Sequence, residues 1–424
     1  IVRILLISAA NDAGSIVPLP LGLACVAAAT ERAGHCVRLL ALCSDADCET
    51  EILQGINQVS PDVIGVSVRN IDDQDMQSPR FLLASLRQVV AACRAASSAR
   101  IVVGGAGYSI FPESVLAYLN ADIGIRGEGE AAFPALLCWL ERGTQSSPPP
   151  ATYFPNGSHS PTAFAPALDD FLLPEPRFWL DFSGSTEMRI PVQTRRGCPL
   201  DCIYCSTSLI EGRPVRRRSP ELVVEWLTAL RHDGFRHFHF VDNTFNLPPS
   251  YAKDLCRKLI DSELGLDWWG IIYPKWVDAE LAELMAKAGC TQVSLGFESG
   301  SETMLPQLNK RFTCREVREI SDALAAVGIK RYGFLLLGGP GETRETVEES
   351  LEFADSLHLD ELKITVGLRI YPQTPLALTA VADGLLNPDD NLLFPGFYIS
   401  PLVRDWLPDR IAHRQSDQGS ADTM

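Results

Sequence analysis

Short apolar runs alternate with amphipathic stretches along the first 144 residues. Apolar runs of this length predict strands that are buried on both faces, as in a parallel sheet covered by helices on both sides. The predicted strands are Val2–Ser8, Val37–Leu42, Val63–Val68, Ile101–Gly104 and Ile123–Ile125. The predicted helices are Leu21–Ala33, Glu49–Gln58, Phe81–Ala95, Pro112–Leu119 and Ala131–Arg142. This order predicts an α/β fold with a doubly wound, Rossmann- or flavodoxin-like parallel sheet.

A second alternation of strands and helices occupies residues 186–390. The predicted strands are Arg189–Thr194, His237–Val241, Trp268–Tyr273, Gln292–Phe297, Gly333–Leu337 and Leu362–Arg369. The predicted helices are Pro220–Arg231, Tyr251–Ser262, Ala279–Ala288, Cys314–Val327 and Thr343–Leu357. Ser219 before Pro220 predicts a helix N-cap, and Thr313 with Glu316 has the spacing of a capping box. The six strands and their intervening helices predict a second α/β unit.

The remaining segments lack this alternation. Residues 145–185 are rich in proline and serine, include Pro148-Pro149-Pro150 and predict a linker. Residues 391–424 form a C-terminal tail, whose last residues are polar and without periodicity, so we expect them to be mobile.

Composition and charge narrow the classes of function. The chain is 46% hydrophobic and 21% charged, which is typical of a compact globular protein. Its net charge of −16 argues against binding nucleic acid or an anionic membrane by bulk electrostatics. The chain contains no apolar run of the roughly 18 residues that a membrane span needs. Twelve cysteines without a disulfide framework indicate a reducing cytoplasm.

One basic segment departs from this acidic background. It contains Arg213, Arg216, Arg217 and Arg218. A solvated basic loop is the more common interpretation of such a run, and a clamp for an anionic ligand is the alternative.

Three cysteines, Cys198, Cys202 and Cys205, stand in C-x3-C-x2-C spacing. Soft thiolates bind zinc and iron–sulfur clusters alike, so the number of ligands decides between them. A structural zinc site takes four ligands. The nearest other cysteines are Cys138 and Cys256, far along the chain. The motif therefore favours three irons of a [4Fe–4S] cluster with the fourth iron open, over zinc or unligated buried cysteines.

The motif resembles that of the radical S-adenosylmethionine (SAM) superfamily, C-x3-C-x-aromatic-C, with Tyr204 as the aromatic residue. The resemblance implies that residues 186–390 form a partial, TIM-like (βα)6 barrel. It also implies that the amino and carboxylate groups of SAM chelate the open iron. An electron from the cluster then cleaves SAM, usually to methionine and a 5′-deoxyadenosyl radical. The resemblance places Tyr204 near the adenine and implies a reductant such as flavodoxin or ferredoxin.

Further candidates for SAM binding follow the predicted barrel strands, because functional residues of parallel barrels gather at the carboxyl ends of strands. By resemblance, Asp242-Asn243-Thr244 would hold the SAM amino group, although a polar turn is an equally common interpretation of each residue. Glu298 and Ser299 suit the ribose or the amino group. Gly338 and Gly339 would allow a close approach of adenine, or simply cap a strand. Arg369 is a candidate partner for a carboxylate.

The N-terminal half resembles the cobalamin-binding domain that precedes the barrel in a large radical SAM subgroup. The stretches that carry this resemblance are Pro18-Leu19-Pro20-Leu21-Gly22-Leu23, Gly104-Gly105-Ala106-Gly107-Tyr108-Ser109 and Arg126-Gly127-Glu128-Gly129-Glu130. Ligands of doubly wound sheets lie outside the carboxyl ends of the strands. We therefore expect Arg69, Asn70, Gly104 and Gly105 to line the cobalamin site.

One feature departs from many cobalamin proteins. These carry D-x-H-x-x-G after the first strand, and its histidine ligates cobalt. The corresponding loop here, Ala9-Ala10-Asn11-Asp12-Ala13-Gly14-Ser15, has no histidine. A domain that has lost its cofactor and serves as a scaffold is therefore an alternative.

The leading hypothesis is a cytoplasmic, cobalamin-dependent transferase that methylates an unactivated carbon of a small-molecule metabolite. SAM would then be both methyl donor and radical source. The enzymatic alternative is cobalamin-independent chemistry, such as transfer of the 3-amino-3-carboxypropyl group of SAM or oxidative cyclisation. An RNA methylthiotransferase is disfavoured because the N-terminal cysteines lack cluster spacing. A cobalamin- or metal-sensing module without turnover is the non-catalytic alternative.

Overall fold

The computed structural model of the protein describes residues 1–9, 19–42, 48–183 and 185–421. Contacts within the chain define two compact units. The first contains residues 1–73, 80–199 and 206–237, and the second contains residues 74–79, 200–205 and 238–424. The domain boundaries expected at residues 144, 185 and 390 stay predictions.

The first sheet has six strands in the order β2-β1-β3-β4-β5-β6. Its strands are β1 (Arg3–Ser8), β2 (Cys36–Ala41), β3 (Val63–Ser67), β4 (Arg100–Gly104), β5 (Ile123–Ile125) and β6 (Thr152–Tyr153). The first five are parallel, and β6 runs antiparallel to β5. The order 2-1-3-4-5 is that of flavodoxin-like sheets, in which ligands bind where the order reverses, beside β1 and β3.

Helices pack on this sheet. They are α1 (Leu21–Arg32), α2 (Cys48–Val59), α3 (Leu83–Ala96), α4 (Ala106–Ile110), α5 (Pro112–Leu119) and α6 (Gly129–Glu141). The four central residues of β1, Ile4 to Ile7, are each at most 1% exposed. Burial of this kind confirms the doubly wound sheet expected from the apolar runs. All predicted strands and helices of this half are present, with ends within two residues of those expected.

The proline- and serine-rich segment is ordered over most of its length. Thr152–Tyr153 adds β6 to the sheet, and Pro176–Ser183 forms helix α7. Leu168 and Phe178 are buried within the first unit. The segment therefore contributes to a core.

The rest of the first unit carries Cys198, the first cysteine of the motif. It contains β7 (Ile190–Val192), β8 (Arg195–Arg196), α8 (Thr207–Glu211), β9 (Arg216–Arg217) and α9 (Pro220–His232). Strands β8 and β9 form an antiparallel ribbon, in which Arg196 pairs with Arg216. The strand predicted at 189–194 is thus the shorter β7, and a second short strand, β8, follows it; of these two, only β7 belongs to a larger sheet.

The second sheet has the order β14-β13-β12-β11-β10-β7, which follows the chain strand by strand. Its further strands are β10 (His237–Phe240), β11 (Asp267–Ile272), β12 (Cys290–Glu298), β13 (Lys330–Leu337) and β14 (Glu361–Val366). The helices among them are α10 (Pro249–Asp261), α11 (Ala279–Lys287), α12 (Met304–Gln307), α13 (Cys314–Ala326) and α14 (Arg344–Ser356). Sequential parallel strands with intervening helices are the arrangement of a partial (βα)6 barrel, as expected.

The end of the chain differs from its expected structure. After β15 (Leu368–Arg369), α15 (Pro375–Ala382) and β16 (Phe397–Tyr398), residues Leu407–Ala421 form helix α16. Leu407 and Ile411 are buried, and Arg410 makes two hydrogen bonds, of 2.6 and 2.8 Å, to Glu348. Two apolar residues four positions apart are too short a pattern to predict a helix.

The two predicted helix caps give a test of this structure. The Thr313 side chain accepts a hydrogen bond from the Glu316 N–H, and the Glu316 carboxylate accepts one from the Thr313 N–H. Ser219 occupies the N-cap position of α9, but its side chain makes no capping bond to any described residue. Thr313→Ala should lower the free energy of unfolding by about 1 kcal/mol, and Ser219→Ala by much less.

Urea unfolding of the two variants and the wild type, followed by far-UV circular dichroism, measures this difference. Equal losses in both variants, or a larger loss for Ser219→Ala, would contradict the capping geometry.

Candidate active site

A tight, glycine-dependent ribbon leads into the first cysteine of the motif. Gly197 has φ +89°, and a Cβ at this position would collide with the Pro214 carbonyl. The Cys198 N–H donates a hydrogen bond of 3.1 Å to the Gly212 carbonyl. Cys198 is 8% exposed. The first thiol is therefore presented by a backbone that is bonded across the ribbon in the first unit.

The other two cysteines lie in a turn of the second unit. The Cys205 N–H donates to the Cys202 carbonyl at 3.1 Å. Between them, Ile203 donates to the Leu308 carbonyl at 3.4 Å and accepts from the Leu376 N–H at 3.0 Å. Backbone bonds on both sides of Ile203 thus hold this turn in place.

The donor set fits a [4Fe–4S] cluster. None of Cys198, Cys202 and Cys205 forms a disulfide bond. Over the described part of the chain, no three Cys, His, Asp or Glu side chains converge as they do around a single metal ion. Thiolates that bind three different irons of a cluster need no such convergence, whereas a closed zinc site does.

Lys310, which the sequence analysis did not identify, lies beside this turn. Its Nζ is 3.5 Å from Oε1 of Glu298 and 5.3 Å from the centre of the Tyr204 ring. The Lys310 side chain is only 4% exposed. Burial lowers the pKa of Lys310, but Tyr204, Glu298 and Cys202 outweigh it, so the pKa lies well above its ordinary value. The ammonium group therefore stays charged in a buried position.

Glu298 ends β12 in an unusual backbone conformation. Its φ is +63°, and the register between β12 and β13 shifts between Gly296 and Glu298. Left-handed backbone at a residue other than glycine is costly and is concentrated at functional sites. The shift leaves the carboxylate beside Lys310. A paired cation and anion at a strand end offer complementary charges to the zwitterionic amino-acid part of a ligand.

The loop after β10 contains Asp242, Asn243 and Thr244. Asp242 is fully buried, whereas Asn243 and Thr244 are half-buried. The loop is anchored by Asn246, whose Oδ1 accepts from the Tyr273 N–H at 2.9 Å and whose Nδ2 donates to the Tyr273 carbonyl at 2.9 Å. Asn246 thus ties this loop to the end of β11.

Ser299 is fully buried and bonded inward. Its Oγ lies 2.9 Å from the Ser350 Oγ and accepts a hydrogen bond of 3.2 Å from the Ser301 N–H. These bonds connect the end of β12 to helix α14. Participation of Ser299 in SAM binding stays a prediction.

The glycine-rich turn after β13 encloses a buried carboxyl group. Oε2 of Glu342 accepts hydrogen bonds from the N–H groups of Gly338 and Gly339, the latter at 2.9 Å. Oε1 finds no hydrogen-bond partner among the described residues, and Glu342 is fully buried. Burial outweighs the two N–H bonds and raises the pKa of Glu342 to about 7. A buried oxygen without a hydrogen-bond partner among the described residues fits a site where a polar ligand donates a hydrogen bond to it.

The C-terminal segment supports this turn. The Ser400 N–H donates to the Gly338 carbonyl at 2.8 Å, and the Ser400 Oγ donates to the Glu342 carbonyl at 2.8 Å. Arg369 is 5% exposed and donates to the carbonyls of Ile370 and Leu392, at 2.5 and 2.9 Å. These Arg369 bonds are made to the backbone of the C-terminal segment. Pairing of Arg369 with a ligand carboxylate stays a prediction.

The candidate cobalamin residues lie at the carboxyl edge of the first sheet. Gly105 has φ +108°, and a Cβ there would lie 2.6 Å from the Val68 carbonyl oxygen. The Val68 N–H donates to the Gly104 carbonyl at 2.7 Å, so the ends of β3 and β4 are joined closely. Arg69 and Asn70 are exposed beside them. Small residues and exposed polar side chains at this edge fit a large planar cofactor.

The loop that follows β1 lies partly outside the described residues. It includes positions 10–15 of the stretch that lacks a histidine, as well as Pro18. The cobalamin expectation therefore depends on the edge formed by β3 and β4.

The basic segment after the cysteine motif requires a correction. Nη1 of Arg216 lies 2.5 Å from Oε1 of Glu128, and Arg218 donates to the Leu168 and Phe171 carbonyls at 2.8 and 2.7 Å. Both arginines therefore bind groups of the protein itself. They belong neither to a solvated loop nor to a clamp for an anionic ligand. Of the four arginines, only Arg213 and Arg217 are exposed.

Two family models match different parts of the chain. A family model of the radical SAM superfamily matches residues 192–354, and a B12-binding domain model matches residues 9–137. The first match covers the cysteine motif, and the second covers strands β2 to β5 of the first sheet. The chain thus carries a radical SAM domain, which is preceded by a B12-binding domain. These two domains imply a [4Fe–4S] cluster, SAM and cobalamin as cofactors.

Two relatives and one solved structure illustrate the similarity. An uncharacterized methyltransferase of Pyrococcus horikoshii is 28% identical, over 87% of this chain and 79% of the relative. A cytidylyl-2-hydroxyethylphosphonate methyltransferase of Streptomyces wedmorensis is 25% identical, over 88% and 80%. The structure of the radical SAM methyltransferase TsrM from Kitasatospora setae, with tryptophan and a SAM analogue bound, has a TM-score of 0.84. It is 22% identical over 95% of this chain and 87% of that chain, which shows the shared fold.

A membrane span is not found among the described residues, where no helix is both long and apolar enough to cross a bilayer.

The pair of Lys310 and Glu298 leads to a binding prediction. Lys310→Met should weaken SAM binding at least tenfold, because it removes a buried cation and leaves the Glu298 charge unpaired. Lys275→Met is the matched control, because Lys275 also lies near an aromatic ring and a glutamate, Trp276 and Glu316.

Isothermal titration of the anaerobically reconstituted variants with SAM measures the change, and iron analysis checks that the cluster is retained. If the Lys310→Met variant retains its iron–sulfur cluster and binds SAM with wild-type affinity, Lys310 and Glu298 do not belong to the SAM site.

Glu342 leads to a prediction on pH dependence. Its ordinary pKa is 4.5 and its folded pKa is about 7, so between these values the folded state binds more protons than the unfolded state. Stability should therefore fall by up to about 3 kcal/mol as the pH rises from 4.5 to 7, and should stay level above that. Glu342→Gln, which mimics the protonated acid, should remove this contribution.

The unfolding temperature of the SAM-free wild type and variant, measured from pH 5 to pH 8, tests this. The stabilisation of the variant over the wild type should grow with pH up to about pH 7. A difference that does not vary with pH would contradict a raised folded pKa.

Proposed function

We propose that the protein is a cobalamin-dependent radical SAM methyltransferase that methylates an unactivated carbon of a small-molecule metabolite. The observation that carries the proposal is the order of two cofactor domains in one chain, which relatives named as methyltransferases share over most of their length. Neither 3-amino-3-carboxypropyl transfer nor oxidative cyclisation has a comparable observation in its favour.

The cysteine motif and its surroundings would serve SAM. Cys198, Cys202 and Cys205 would hold the cluster. Lys310 and Glu298 would orient the amino-acid part of SAM through complementary charges, and the Gly338–Gly339 turn would approach the adenine. When bound, the cluster supplies one electron to SAM and cobalamin carries a methyl group. The residues bind and orient these groups.

Other candidates have supporting or positioning roles in this proposal. Tyr204 is packed against the Lys310 ammonium and belongs to the turn that carries Cys202 and Cys205. Asp242, Asn243 and Thr244 lie at a strand end, in a loop that Asn246 anchors, and would contribute to SAM binding there. Gly104 and Gly105, with Arg69 and Asn70, form the edge proposed to receive cobalamin.

The substrate is proposed only as a class. The related phosphonate methyltransferase and the tryptophan-bound TsrM act on or bind different small molecules, as their names state. This supports a small-molecule substrate and argues that its identity depends on residues outside the shared motifs.

The proposal includes a one-electron donor, such as flavodoxin or ferredoxin, and a reducing cytoplasm. None of the described cysteines is in a disulfide bond, which supports a reducing compartment.

The test is anaerobic reconstitution with iron, sulfide and hydroxocobalamin, followed by gel filtration and an absorbance spectrum of the protein peak. We expect near-stoichiometric cobalamin together with the cluster. Addition of SAM and a low-potential reductant should then form S-adenosylhomocysteine, the product left when SAM loses its methyl group. Reconstitution without cobalamin is the control and should abolish this product.

Two outcomes would overturn the proposal. If the protein takes up the iron–sulfur cluster but does not bind cobalamin, the N-terminal domain is a scaffold. Release of methylthioadenosine in place of S-adenosylhomocysteine would indicate 3-amino-3-carboxypropyl transfer.

A further inference from the structure

Four charged side chains form a buried group in the first unit. We call Glu128, Glu130, Arg196 and Arg216 the charge cluster. Arg196 lies 2.5 Å from Glu130 and 3.3 Å from Glu128, and Arg216 lies 2.5 Å from Glu128. None of the four side chains is more than 9% exposed. Two positive and two negative charges balance in a place that water does not screen.

Arg196 uses each nitrogen of its guanidinium for a different partner. Nε donates to Oε1 of Gln193 at 2.9 Å, Nη1 to Glu128 and Nη2 to Glu130. A planar fork bound at three corners has a fixed orientation, which an ammonium group at the same position would not have. The charge cluster therefore fixes the direction of strand β8, which ends at Arg196.

Two residues extend this network to the first cluster ligand. The amide of Gln193 donates to Oε1 of Glu211 at 2.9 Å. Oε2 of Glu211 in turn accepts from the Gly197 N–H at 3.0 Å. The next residue along the chain is Cys198. An unbroken series of hydrogen bonds and ion pairs thus runs from Glu130 to the peptide before Cys198.

The two glutamates belong to a different part of the sequence from the cysteines. Glu128 and Glu130 lie within the match to the B12-binding model, at the carboxyl end of β5, whereas Arg196 lies within the match to the radical SAM model. Glu128 also accepts a hydrogen bond of 2.7 Å from the Ala165 N–H in the linker segment. Three segments of the chain therefore meet at these carboxylates.

We propose that the charge cluster is a positioning device for Cys198, through which two carboxylates of the B12-binding segment set the placement and the electrostatic environment of the first [4Fe–4S] ligand. Two consequences follow. Loss of the fork geometry should misplace Cys198 and lower retention of the cluster. Loss of one carboxylate should leave a net positive charge near the cluster, which favours its reduced and more negative state.

Two isosteric or charge-conserving variants separate these effects. Glu130→Gln removes one charge while keeping the shape, and should raise the ratio of reduced to oxidised cluster at a fixed potential three- to tenfold. Arg196→Lys keeps the charge but loses the fork. It should lower iron retention at least twofold without this change in ratio. Glu348→Gln, which neutralises a glutamate paired with Arg410 in the second unit, is the matched control and should change neither.

Redox titration followed by electron paramagnetic resonance, with iron analysis of the same samples, measures both quantities in the full-length protein without SAM. Circular dichroism of each variant checks folding. Glu211→Gln, which leaves the charge cluster intact, should lower iron retention by loosening the Gly197 peptide. If Glu130→Gln does not fold, the iron retention of Glu211→Gln decides whether the proposal holds.

Wild-type iron content and wild-type redox behaviour in folded Glu130→Gln and Arg196→Lys would overturn the proposal. Failure of all three variants to fold would also overturn it, because the charge cluster would then serve only the stability of the first unit. The inference rests on cluster ligation by Cys198 and not on methyl transfer. A protein that holds its cluster but forms no S-adenosylhomocysteine would refute the proposed function alone.

Discussion

Parallel hydrogen bonding of strands is the constraint on which both halves of the molecule depend. In a parallel sheet all strands end at the same edge, so loops far apart in sequence meet there. In the first sheet this brings the turns after β3 and β4 together, where Gly105 contacts Val68. In the second sheet it gathers the loop at Asp242, the carboxylate of Glu298 and the turn at Gly338. Each candidate cofactor site is therefore a product of strand direction.

Burial of charge is the second theme of the structure. Lys310 with Glu298, and the arginines and glutamates around Arg196, take ionic groups out of water near the cysteine motif. Such pairs add little to stability, because desolvation offsets their attraction. They define orientation instead, since each group has one partner geometry that satisfies it. The chain thus uses charges where the position of a cofactor matters, rather than for overall stability.

The fold was largely predictable from the sequence, and the site only partly. Apolar runs such as Val63–Ser67 carry their own strand signal, and Cys198, Cys202 and Cys205 are recognised by spacing. Lys310 was not predictable, because it lies in an irregular loop and meets Glu298 only through the fold. Arg216 and Arg218 were misinterpreted for the same reason: their buried partners, Glu128 and the Leu168 carbonyl, are distant in sequence. Local sequence patterns predict helices and strands, whereas contacts between side chains that are distant in sequence are seen only in the structure.

The two hydrogen bonds of Ser400 have a consequence for engineering. C-terminal segments are attractive parts to exchange between related enzymes when a new substrate is wanted. In this chain the same segment holds the Gly338 turn through its backbone and the Glu342 carbonyl through its hydroxyl. A chimera that replaces it alters the support of the proposed SAM site together with any contact to substrate. A chimera in which the exchanged segment begins after Ser400 keeps both hydrogen bonds of Ser400, and therefore the support of the Gly338 turn.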